Sequence, residues 1–140
     1  MAFVTQGSAS DNLGKLVLRS SLAILILLHG IAKITGSIGF ITGMVAKAGL
    51  PGGVAFLVYV GEVIAPLMIL FGIWARLGAV IVAINMIVAV ALAHAHQLFT
   101  LGKTGGWALE LQGFFFFTAL AVALLGAGSY SIGGRSGKWN

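Results

Sequence analysis

Apolar residues gather into four long runs, at about 13–34, 54–73, 77–98 and 107–125. Each has roughly 20 residues, and at ~1.5 Å rise per helical residue that length crosses the hydrocarbon core of a bilayer. The stretch between the first two runs is too broken by glycine to span. Within it, Ile38, Ile41, Met44 or Val45, and Ala48 recur at helical spacing, and Gly49, Leu50, Pro51, Gly52 and Gly53 follow. That pattern predicts a short helix lying at the membrane surface. Trp74, Ala75 and Arg76 make a tight turn between the second and third runs, and a glycine-containing loop at 99–106 leads to the fourth. Residues 1–12 are small and polar, with Asp11 or Asn12 as the expected N-cap. Residues 129–140 form a glycine-rich polar tail. The expected architecture is all-α: an integral membrane four-helix bundle over 13–128, with a short interfacial helix between helices 1 and 2.

The polar positions inside the runs then become the informative ones. At 100° per residue, His29 lies about 80° and Lys33 about 40° round from Arg19, so all three share one side of the first helix. The second run holds Glu62 and Pro66, the third Asn85 with His94 and His96 near its end, and the fourth Glu110 near its start. Counted from the helix ends, Lys33, His29, Glu62, Glu110 and one of the two later histidines fall in the same half of the bundle. A charge at mid-membrane costs at least ~2.5–3.5 kcal/mol even on the lenient insertion scale. These groups are therefore expected to converge and pair. Pro66 lacks an N–H and frees the carbonyl of Glu62 four residues earlier, adding a polar group and a kink. His94 and His96 are about 200° apart on a helix, so both cannot face inward; His96 shares a face with Asn85.

Blander roles compete at several positions. Arg19 and Lys33 could snorkel to opposite interfaces. Glu110 could be a first-turn acid favouring a helix N-terminus. Phe114, Phe115, Phe116 and Phe117 cover every side of a helix and read as packing bulk. Gly61, Gly72, Gly78 and Ala89 read as close helix contacts.

Composition agrees with the pattern. The chain of 140 residues is 59% hydrophobic and 8% charged, with mean hydropathy +1.09. A soluble domain carries about a quarter charged residues. The net charge of +5 does not indicate nucleic-acid binding, because the eight basic residues are spread along the chain. Without cysteine there is no thiolate metal site, disulfide relay or iron–sulfur ligation, and no metal centre is expected. The first run is too long for a signal-peptide core, holds an arginine, and lacks a small-residue cleavage site after it. Lys15, Arg19, Arg76, Arg135 and Lys138 fall on the side of the termini, against Lys33, Lys47 and Lys103 on the other. The excess predicts both termini in the cytoplasm of a multi-pass plasma (inner) membrane protein.

Several of these residues fall into a familiar order. Arg19, H-G-x-x-K at 29–33, G-L-P at 49–51, G-E at 61–62, L-x-G-x-x-x-R at 70–76, the histidine pair and Glu110 resemble the DoxX family across roughly residues 15–131. The resemblance implies a four-helix protein of bacterial or archaeal plasma membranes. Some such proteins are membrane subunits of thiosulfate:quinone oxidoreductases and others join complexes of oxidative-stress defence. Relatives often carry an aspartate where this chain has Gly133.

Two functions follow as expectations. The first is a membrane subunit of a quinone-linked redox complex. There His29, Glu62 and Glu110 handle protons, while Lys33, His94, His96 and Arg19 hold the cofactor in an apolar slot. Electrons would come from another protein subunit or a haem. The second is a non-catalytic anchor or assembly factor, in which the polar cluster only fixes helix register. Haem held by His29 with His94 or His96 is the weaker cofactor reading, and transport is weaker still for want of an inverted repeat. Expected partners are membrane lipid and other protein subunits or further copies of the chain, with no nucleic acid.

Overall fold

The first apolar run folds into a single 27-residue helix, α1 (Ala9–Thr35), in a computed structural model that describes residues 7–140. The helix starts one turn before the expected cap. Ser8 accepts from the Asp11 N–H at 3.2 Å, and Asp11 accepts from the Ser8 N–H at 2.9 Å. This reciprocal capping box outcompetes a lone Asp or Asn, so Ser8 is the N-cap and Asp11 its partner. Residues 1–6 of the expected N-terminal segment lie outside the described residues, and 9–12 belong to α1.

The surface helix forms as expected, as α2 (Gly39–Lys47). Gly49, at φ 77°, turns the chain after it. Helix α3 (Gly52–Phe71) and helix α4 (Ala75–Gln97) follow, separated by a tight turn. Gly72 ends α3 in the left-handed conformation rather than acting as a helix contact, and Trp74 adopts φ 51° before α4. Helix α5 (Glu110–Leu125) is shorter than its apolar run. Trp107 is drawn into the preceding loop, where its indole N–H donates to the Leu98 carbonyl at 2.8 Å and Ala108 N–H donates to Thr100 at 3.0 Å.

Among the described residues no strand occurs beyond one isolated bridge between Leu101 and Trp107. Helices α1, α3 and α4 are long and apolar enough to cross a membrane. The four main helices close a ring, α1 against α3 and α5, α4 against α3 and α5. Leu22, Ile26, Ile69, Val82, Phe115 and Val122 form its core. The outward faces are equally greasy, with Leu28 58% and Leu124 79% exposed. A helix apolar all round belongs in lipid.

One end of the ring is held by arginines. Arg19 donates to the carbonyls of Ile69 (2.7 Å), Leu70 (2.5 Å), Ala127 (3.2 Å) and Tyr130. Arg76 donates to Ala123 (2.6 Å), Leu124 (2.7 Å) and Asn140 (3.0 Å). Each guanidinium caps the end of a neighbouring helix, where the last carbonyls run out of intrahelical donors; Ile69 also accepts from the Gly72 N–H at 3.2 Å. Burial lies behind it: Arg19 is only 2% exposed. The tail, read from sequence as glycine-rich and polar, folds back under this end. Asn140 is buried there, its side chain accepting from Ala75 N–H and donating to Gly134.

Candidate functional site

The opposite end of the ring holds the polar cluster. Lys33, in the last turn of α1, forms an ion pair with Glu62 of α3. Asn85 of α4 donates from Nδ2 to the other carboxylate oxygen at 3.4 Å. Tyr59 O–H donates to the Lys33 backbone carbonyl at 3.3 Å. Glu62 is 7% exposed; a carboxylate so deep persists because a cation and an amide answer it.

Two glycines make the approach close enough. A Cβ on Gly30 would overlap the Glu62 carbonyl and the Val63 side chain. A Cβ on Gly61 would collide with Asn85. Bare backbone at both positions lets α1 and α4 close on the segment that carries Glu62.

That segment is a π turn, Val60–Ile64, in which Ala65 N–H donates to the Val60 carbonyl. Pro66 follows one residue later, after Ala65, and cannot donate, so the wide turn lies just ahead of it. Pro66 thus acts through a widened turn rather than a simple kink. A second π turn, Val90–His94, widens α4 on the far side of the same space. Each π turn takes one residue more than an α turn, so later side chains roll back by about one residue's rotation. This reverses the expected histidine assignment. His94 faces inward, its Nδ1 3.0 Å from Gln97 Oε1, while His96 is exposed.

Between these elements lies a cavity of about 670 Å³, within the range of small-molecule sites. Its walls are mainly apolar, and α2 contributes Phe40, Met44 and Val45. Its polar groups are His29, Lys33, Glu62, Asn85, His94 and Gln112. His29 sits edge-on to Phe115, ring centroids 5.7 Å apart at 88°. Its Nδ1 lies 2.9 Å from the Leu25 carbonyl.

The structure brings His29, Lys33, Glu62 and His94 together and leaves three expected members out. Arg19 shares a face with Lys33 but lies fourteen residues earlier, ~21 Å along the axis, and its donors are spent on helix ends. Angle alone misled. Glu110 is exposed in the first turn of α5, against Gly106 and beside a separate hollow lined by Leu18, Trp107 and Phe114. The late start of α5 puts it there, where an acid complements the helix N-terminus. His96 faces away. Asn85, noted in the third run but not assigned to the site, joins it; Gln112 was missed, and Gly30 was readable only as the G of H-G-x-x-K. Among the described residues no group of His, Asp and Glu is arranged to hold a metal ion.

Apolar outer faces and three helices of spanning length mark a helical membrane protein, and a ligand-sized cavity with an ion pair at its edge lies within it. The chain belongs to the DoxX family: a DoxX family model matches residues 14–95, more than half of the chain and the whole of α2 and α3. The chain has no significant match among curated proteins or solved structures.

Proposed function

We propose that the cavity binds the headgroup of a membrane quinone and that the protein serves as the membrane subunit of a quinone-linked redox complex. The observation that carries this reading is an apolar slot with a charge-neutral Lys33–Glu62 pair and Asn85 at its polar end. A quinone is itself an apolar chain with an uncharged, hydrogen-bonding ring. An anionic lipid head would have to displace Glu62, which favours a neutral ligand. Lys33 and Asn85 supply donors for ring oxygens, and His29 and His94 stand on the walls as proton-handling groups. The electrons would come from a partner subunit. On the charge bias of the sequence, the arginine end and both termini face the cytoplasm of the plasma membrane.

The reading is tested on protein purified gently in mild detergent. Organic extraction should recover quinone near one per chain, and Glu62→Gln should cut that occupancy about tenfold, since a charge-assisted hydrogen bond contributes roughly 1.5–3 kcal/mol. Full-length protein that carries no quinone and takes up none when it is added would refute the proposal.

A further inference from the structure

We propose that the cavity prefers the dihydroxy, reduced form of such a ring over its dicarbonyl form, and that His29 sets the preference. This deepens the reading of the cavity as a ring-headgroup site and rests on it. The Leu25 carbonyl, 2.9 Å from His29 Nδ1, can only accept a hydrogen bond, so the proton sits on Nδ1. In the neutral imidazole Nε2 is then a bare acceptor, on a ring that lines the cavity. The ring is held in place by the edge-on contact with Phe115.

Lys33 stands one turn further along the same helix, which places the two residues ~5–6 Å apart at Cβ. Its ammonium has three N–H groups, of which the ion pair with Glu62 uses one. The site therefore offers a donor at Lys33 and an acceptor at His29 on neighbouring positions of one wall. A ring hydroxyl satisfies either: it accepts from Lys33 and donates to Nε2. A ring carbonyl satisfies Lys33 but sets its lone pair against that of Nε2. Two acceptors facing each other leave both without a donor at that contact.

The test uses the full chain in detergent micelles under anaerobic conditions, titrated calorimetrically with a short-chain benzoquinone and with its hydroquinone. The hydroquinone should bind about tenfold tighter, a difference of about 1.4 kcal/mol. His29→Leu should remove that preference by weakening the hydroquinone alone, while Lys33→Gln weakens both forms. Nitrogen-15 spectra of histidine-labelled protein should show His29 protonated at Nδ1. Equal affinities, a preference for the quinone, or the opposite tautomer would overturn the inference and leave the quinone site standing. Failure of both forms to bind would overturn the site as well.

Discussion

Arg19→Leu should destabilise the protein more than any other single change, by on the order of 4 kcal/mol, while leaving the ligand cavity chemically intact. The side chain is buried and serves four carbonyls, two at the end of α3 and two in the segment after α5. Leucine fills much of the volume but removes the donors; Ile69 keeps the Gly72 N–H, while the other three oxygens cost roughly 1–3 kcal/mol each if water does not reach them. Arg19→Lys keeps the charge and should recover only part of the loss, because an ammonium cannot fork across helix ends as a guanidinium does. Denaturation of the purified protein by SDS in mixed micelles measures this directly. Quinone affinity per folded molecule should stay within about twofold of the parent, far below the tenfold that 1.4 kcal/mol represents. A loss under about 1 kcal/mol would mean that water replaces the guanidinium at these carbonyls.

Gly30→Val should strike both stability and binding. The new side chain would enter the space held by the Glu62 carbonyl and the Val63 side chain. Overpacking of this kind costs about 1–3 kcal/mol, and here the obstacle is backbone, which yields least. Relief requires α1 to move off α3. Lys33 and His29 ride on α1 and Glu62 on α3, so the same movement opens the ion pair. Quinone occupancy should fall by about tenfold or more alongside the melting midpoint, the loss of one charge-assisted hydrogen bond. Gly14→Ala on the same helix is the control: nothing lies within 4 Å of its added carbon, and alanine should gain up to ~1 kcal/mol of helix propensity. Equal behaviour of the two variants would contradict the close packing that positions the site.

Three helices of spanning length, a shorter fourth and the small helix between the first two were legible because lipid imposes length and composition on anything that crosses it. The pairing of Lys33 with Glu62 was legible for a related reason: an intramembrane charge demands a partner, and depth limited the choice. What failed was the step from angle to neighbour. Arg19 matched Lys33 in direction but not in height. His94 and His96 exchanged places because a π turn changes the count of residues per turn, which no hydrophobic pattern announces. Glu110 was set too deep because Trp107 was spent on a loop hydrogen bond rather than on a helix turn. The carbonyl-capping roles of Arg19 and Arg76 depend on contacts across the fold, 50 or more positions apart for Arg19, and no local signal carries them.

The ligand ring is expected to reside in the space under α2 between Lys33, Glu62 and His94. Photolabelling with an azido-quinone in native membranes, followed by peptide mapping, tests it most directly. The label should fall on the cavity walls, around residues 26–33, 40–45 and 58–62, and an excess of unmodified quinone should compete it away. Label spread over the exposed faces of α5, around Phe114, Phe117 and Leu124, and indifferent to competitor, would contradict it.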